Sequence, residues 1–227
     1  MLQDLKAITG DRYILTSKWS KEPFCKGWRY GEGKVMAVAR PGTLLEIWKV
    51  LKVCVEADVI IIMQAANTGL TGGSTPFGND YDRPIVIIST LRINNIQIIN
   101  NGEQIIGLAG STLYGLEKKL EPFEREPHSV IGSTSIGASI IGGVCNNSGG
   151  SLVQRGPAYT ELALYAKVNK HGKLELINDL EINLGSNPEE ILTNLQKKNY
   201  KESDIKNSEK LGSDNKYKEI VRQIDLK

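Results

Sequence analysis

Between residues 44 and 56 the apolar positions Leu44, Ile47, Trp48, Leu51 and Val55 recur at helical spacing, with polar residues between them. Thr43 stands immediately before this run, so the pattern predicts an N-capped amphipathic helix over 44–56. Short β-branched runs flank it: Val35–Met36–Ala37–Val38–Ala39 before, closed by Arg40–Pro41–Gly42, and Val59–Ile60–Ile61–Ile62–Met63 after. Strand, helix and buried strand in that order predict a strand–helix–strand (βαβ) unit. A further strand follows at Ile85–Val86–Ile87–Ile88. Two hairpins are signalled by turn residues between apolar runs. One joins 96–99 to 104–108 across Asn100–Asn101–Gly102–Glu103, and the other joins 162–168 to 173–177 across Asn169–Lys170–His171–Gly172.

Further short helices fit the remaining pattern. Residues 1–10 form one. Ser111 or Thr112 opens a second, with Leu113, Leu116 and Leu120 as its core stripe. A third is expected from Ile136 to Val144, opened by Thr134 or Ser135, with an uncapped N-terminus able to seat a phosphate. Ser186–Asn187–Pro188–Glu189–Glu190 opens a fourth, which carries Ile191 and Leu195. From Lys197 onward the chain is rich in Lys, Asn, Glu and Ser and is expected to pack poorly.

Two segments stand apart from this alternation. Gln64–Ala65–Ala66–Asn67–Thr68–Gly69–Leu70–Thr71–Gly72–Gly73–Ser74–Thr75 leaves the second strand of the βαβ unit, and 132–151 runs from Gly132 to Ser151. Both are rich in glycine and hydroxyl residues, and neither carries a charge. With so little side-chain bulk, successive backbone N–H groups can converge on an anion, aided by the hydroxyls of Thr68, Thr71, Ser74 and Thr75. A glycine-rich surface turn without a ligand would look the same for either segment alone. Two such segments in one chain suggest two walls around one extended ligand. There is no G-x-G-x-x-G after a strand and no G-x-x-x-x-G-K-[ST], so neither a Rossmann nor a P-loop site is predicted.

Composition narrows the classes further. The 227 residues are enough for one domain or two small ones. A net charge of +2, from 28 basic and 26 acidic residues, makes no general electrostatic case for nucleic acid. The apolar runs fall far short of the ~20 residues that span a bilayer, and residues 1–6 lack a signal-peptide layout. Cys25, Cys54 and Cys145 form no C-x-x-C pair, and their odd number fits a reducing, cytoplasmic setting in which they serve as packing residues. No metal site is expected.

The first glycine-rich loop, at Asn67–Thr68–Gly69–Leu70–Thr71–Gly72–Gly73–Ser74, resembles the diphosphate-cradling loop of a known flavoprotein group. That group is the FAD-binding domain of the vanillyl-alcohol oxidase and cresol methylhydroxylase superfamily. The run from Arg125–Glu126–Pro127–His128 through Gly142–Gly143–Val144–Cys145–Asn146–Asn147–Ser148–Gly149–Gly150 to Arg155–Gly156–Pro157 is similar to the second FAD segment of one branch, the quinone-dependent, membrane-associated D-lactate dehydrogenases. The resemblance covers roughly residues 5 to 185. It implies an α/β (α+β) fold in which two subdomains grip FAD. These would be 35–90 and 91–185, with a helical lead-in at 1–34 and a charged segment at 186–227. It carries FAD contact to Ala65, Ala66, Asn67, Thr68, Gly69, Gly73 and Ser74, and to Gly132, Ser139 and Gly149.

Related oxidases tether FAD through a histidine in the first loop; none stands there, so the resemblance implies noncovalent FAD. It also implies D-lactate and quinone as reaction partners, and peripheral inner-membrane association of the full-length family. Members continue for several hundred further residues, which would carry the substrate cap and the catalytic base, so no catalytic residue is assigned within 1–227. His171 reads as a turn residue, and His128 as structural or near the flavin. Three readings follow. The chain is the FAD-binding part of a D-lactate dehydrogenase, inactive or weakly active alone. It is a free-standing FAD-binding module that acts with a C-terminal half on a second chain. Or it is an α/β domain that binds nothing.

Overall fold

The computed structural model describes residues 1–127, 133–148, 160 and 162–205. Its first sheet contains β1 (Ile14–Leu15), β2 (Ala37–Ala39), β3 (Ile60–Gln64) and β4 (Ile85–Ser89) in the order β1-β2-β4-β3. β2, β4 and β3 run parallel, with Val38 opposite Ile87 and Ile62 opposite Ile87, while β1 pairs antiparallel to β2. The βαβ unit is present: β2 leads through α3 (Leu44–Glu56) to β3. Every residue of β4 is buried, which suits its isoleucine-rich, non-alternating sequence. β3 was expected to be buried as well, yet it is half-buried with Met63 exposed. Its equally apolar run lies at the edge of the sheet, a placement that local sequence does not encode.

Helices cover both faces. α1 (Leu2–Thr9) and α3 lie on one side, where Leu5, Ile14, Ala37, Ala39, Val50, Cys54, Val86 and Ile88 form a core. α2 (Lys18–Cys25) lies on the other, packing Phe24 and Cys25 against Val38, Ile85 and Ile87. The lead-in residues therefore build a strand and two helices onto the first sheet. Thr43 caps α3 as expected, its hydroxyl oxygen accepting the Glu46 N–H at 3.0 Å. The apolar face of α3 is broader than the predicted stripe. Val50 and Cys54 enter the sheet core, whereas Leu44 and Ile47 turn to a second core.

That second core gathers Ile93, Leu108, Ile182, Leu184 and Leu195. β5 (Ile96–Ile99) and β6 (Gln104–Gly107) form the first hairpin, with Asn100 and Asn101 both at positive φ in its turn. α4 (Leu113–Leu120) lies on that hairpin through Leu116 and Leu120, and Thr112 caps it through the Gly115 N–H. A short α5 (Ile140–Cys145) comes next in the chain. β7 (Leu164–Val168) and β8 (Leu174–Asn178) make the second hairpin. α6 (Pro188–Lys197), opened by Asn187, packs Leu195 into the second core. Gln196 accepts the Leu44 N–H at 2.6 Å and so joins α6 to the start of α3. The expected weak packing beyond 197 fails at Tyr200 and Ile205, which reach the second core; the rest of the tail lies outside the described residues.

The α3 cap yields a stability prediction. Thr43→Ala leaves the Glu46 N–H without its partner and should cost about 1 kcal/mol, read from urea unfolding. An unchanged midpoint would show that another group takes over the cap.

Candidate functional site

Because β2, β3 and β4 are parallel, Arg40, Ala65 and Thr90 leave the sheet at one edge, the carboxyl ends of the strands. Open α/β sheets bind ligands at that edge. The first glycine-rich loop occupies it. Gln64, at the end of β3, is 2% exposed, and its amide donates to the Phe24 carbonyl at 2.9 Å and the Ser74 carbonyl at 2.7 Å. Asn67 takes a left-handed φ of 54°, which asparagine tolerates better than most residues. Its amide donates to the Lys26 carbonyl at 2.7 Å and accepts from the Ser74 hydroxyl at 2.7 Å.

These contacts shift the roles expected of several residues. Ser74 directs its hydroxyl to Asn67, and Thr75, which is buried, points its hydroxyl at the Gly72 carbonyl. Positive φ falls at Asn67 and Gly72, and not at Gly69 or Gly73. What distinguishes Gly69 and Gly73 is space: a Cβ at either would meet nothing within 4 Å. Ala65, Ala66 and Thr68 are half-buried on the rising limb of the loop. The loop is therefore braced by these hydrogen bonds at Gln64, Asn67 and Ser74 and has open space over Gly69 and Gly73.

The brace comes from the segment around Gly31–Glu32–Gly33, three residues that read as a turn in the sequence. Residues 26–33 form a turn closed by the Gly27 N–H donating to the Gly31 carbonyl at 2.7 Å. Gly31 has a φ of 89°, and a Cβ there would collide with the Thr75 hydroxyl oxygen. A Cβ at Gly72 would lie 3.1 Å from the Tyr30 carbonyl oxygen. Glycine is required where these two strips of backbone touch.

The second wall arrives from the hairpin region. Ser139 is buried and starts the short helix α5, accepting the Gly142 N–H at 3.0 Å. The helix expected from Ile136 to Val144 is thus shorter, and its N-terminus is capped rather than open. Residues 134–136 form a separate 3-10 turn ended by Gly137 at a φ of 95°. A Cβ at Gly137 would stand 4.0 Å from the Ala66 Cβ. The two glycine-rich segments therefore face each other. Gly132, Gly149, His128 and Arg155 lie outside the described residues. His171 sits in the β7–β8 turn, where its N–H donates to Asn169.

The residues present suit an anionic, elongated cofactor. No charged side chain belongs to residues 64–75 or 133–148, which leaves backbone N–H groups and uncharged polar side chains to meet an anion there. At the same sheet edge the Arg40 Nε is buried without a hydrogen-bond partner, beside the Phe24 ring. At Cys25 and Cys54 thiolate chemistry is disfavoured: burial pushes the Cys25 thiol up and raises that of Cys54 to about 11. No group of side chains among the described residues could hold a metal ion.

Comparison with known proteins agrees with this geometry. The family model described as FAD binding domain matches residues 35–174. The quinone-dependent D-lactate dehydrogenase of Haemophilus influenzae is 61% identical over 99% of this chain, which spans 40% of that protein. The quinone-dependent D-lactate dehydrogenase of Escherichia coli is 54% identical over 99% of this chain, which spans 39% of that protein. Among solved structures, p-cresol methylhydroxylase superposes on 77% of this chain and 34% of its own, with a TM-score of 0.58 at 17% identity. That likeness bears on fold alone and agrees with the cresol methylhydroxylase-type arrangement expected above.

Gly73→Val separates ligand contact from folding. The variant has an allowed φ and open space, so the unliganded melting temperature should hold within a degree or so, while FAD affinity falls at least tenfold, or ~1.4 kcal/mol. Titration of FAD fluorescence checks this, and unchanged affinity would move the cofactor away from Gly73.

Proposed function

We propose, since this chain belongs to the FAD-binding-domain family, that it is the FAD-binding part of an oxidoreductase that oxidises D-lactate to pyruvate and passes the electrons to quinone. The observation that carries the reading is the approach of Gly137 to Ala66, which sets two uncharged, glycine-rich walls against each other at the carboxyl edge of a parallel sheet. The names and identities of the two bacterial relatives support the choice of substrate and acceptor.

In this reading Ala65, Ala66, Asn67, Thr68, Gly69, Gly73 and Ser74 line the diphosphate from one side, and Gly132, Ser139 and Gly149 from the other. Residues 35–90 and 91–185 act as the two gripping subdomains, flanked by 1–34 and 186–227. Bound FAD supplies the acceptor for the hydride leaving the carbinol carbon. The chain's own part is to hold that cofactor. Gly69 and Gly73 allow close backbone approach, so that the neutral walls can offer backbone N–H groups to the diphosphate. FAD is held noncovalently, because the first loop offers no histidine for attachment.

Oxidation also requires a clamp for the lactate carboxylate and a base for the carbinol proton. No described residue at the site offers that pair, and the chain spans only two-fifths of the length of the curated relatives it matches. We assign those groups to the portion of the relatives that this chain does not match. That portion could be supplied by a second chain, which is the alternative reading of the protein as an FAD-binding module. The setting proposed is cytoplasmic, with peripheral association at the inner membrane where quinone resides. No helix among the described residues is long and apolar enough to cross a membrane.

Two experiments test these points. Heat or acid precipitation of the FAD-loaded chain should leave the yellow colour in the supernatant; colour retained in the pellet would refute noncovalent binding. Under anaerobic conditions, D-lactate and a soluble quinone analogue should give turnover far below the ~1–10³ per second of ordinary enzymes. Adding the portion of the Haemophilus influenzae relative that this chain does not match should restore flavin bleaching. Full turnover by the chain alone would overturn the assignment of the base elsewhere.

A further inference from the structure

A side-chain amide as buried as that of Gln64 is uncommon, because an unpaired amide in a protein interior is costly. Gln64 meets that demand through both ends of the loop it opens. Its backbone carbonyl accepts the Thr90 N–H at 2.9 Å, tying it to the exit of β4. Its Nε2 donates to the Ser74 carbonyl, ten residues on, and to the Phe24 carbonyl at the end of α2. One side chain thus joins β3, the returning limb of the loop and a helix forty residues away.

Asn67 repeats the arrangement three residues later. It too reaches Ser74, through the serine hydroxyl, and it too anchors on main chain next to α2, at the Lys26 carbonyl. The loop is therefore drawn shut twice across its own width, at 64–74 and 67–74, and both closures hang on the backbone of residues 24–26. The glycine contacts of Gly31 with Thr75 and of Gly72 with Tyr30 continue the same seam. Gly69 and Gly73, in the same loop, make no such contact and have open space over them.

We propose that Gln64, seconded by Asn67, is a positioning residue for FAD: a clamp by which residues 24–33 hold the diphosphate loop in its binding shape. The proposal rests on the FAD-binding reading above. Its consequence is reciprocal coupling. If the clamp favours the loop shape that binds FAD, then bound FAD stabilises the clamp and with it the turn at 26–33, although that turn need not touch the cofactor. Gln64 itself need not touch the cofactor either.

Hydrogen exchange and FAD titration test this on the full chain. In the unaltered protein, FAD should slow exchange of the backbone amides of 26–33. Gln64→Met keeps side-chain volume and removes both donors; it should weaken FAD binding at least tenfold and abolish the protection of 26–33. Asn67→Gly keeps access to the left-handed conformation and removes the second anchor; it should lie between the two. No FAD binding by the unaltered chain would sink the parent reading. Binding without protection of 26–33 would overturn the clamp alone, whatever the variants do. Normal affinity in Gln64→Met would also overturn it. So would weakened affinity with the protection retained, since Gln64 would then support the fold and not the coupling.

Discussion

The placement of β4 between β2 and β3 is the constraint from which the site follows. A strand buried along its whole length must be flanked on both edges and covered on both faces. β2 and β3 provide the edges, both parallel to it; α1 and α3 cover one face and α2 the other. Parallel pairing sends all three chain exits to the same edge. The glycine-rich loop after β3, the Arg40 corner after β2 and the Thr90 crossing after β4 therefore meet, and the second glycine-rich segment is delivered against them through the β5–β6 hairpin and α4. A Cβ at Gly110 would collide with the Thr90 carbonyl oxygen, so this crossing is itself packed at backbone distance.

The two glycine-rich walls at this edge carry no charged residue, while the Arg40 guanidinium stands at the same edge after β2. A site for a doubly negative diphosphate can use lysine and arginine or backbone dipoles. The two walls here carry no charged residue, which favours fixed N–H groups over long cations that must be ordered on binding. Such a cradle works only if its shape is held. The shape is held by hydrogen bonds from Gln64 and Asn67 to main-chain carbonyls, which do not vary with side-chain identity at 24 and 26. This bracing also explains why some residues of the loop, such as Asn67 and Ser74, face each other.

Likeness to p-cresol methylhydroxylase at 17% identity shows how little of the sequence the architecture needs. Over nearly all of this chain, the two bacterial relatives are identical to it at more than half of the aligned positions. The braced loop belongs to that closely shared stretch, and the fold around it is common to the wider group.

Much of the secondary structure was legible locally. Thr43 and Thr112 announced their helices because a capping hydroxyl acts within three residues, and Leu113, Leu116 and Leu120 fell on one face because helical spacing alone places them there. Asn100–Asn101–Gly102 marked its hairpin through residues that tolerate positive φ. The two glycine-rich segments stood out by composition, and their pairing was anticipated. Other features depended on partners distant in the chain. The runs at 59–63 and 85–88 look alike, and only strand order made one an edge and the other a centre. α3 showed a wider apolar face than its stripe because two cores press on it from different directions. Ser139 rather than Thr134 capped α5 because its backbone is held beside Thr112. The clamp at Gln64 was invisible for the same reason: a glutamine at a strand end is ordinary until a carbonyl forty residues away turns out to be its partner.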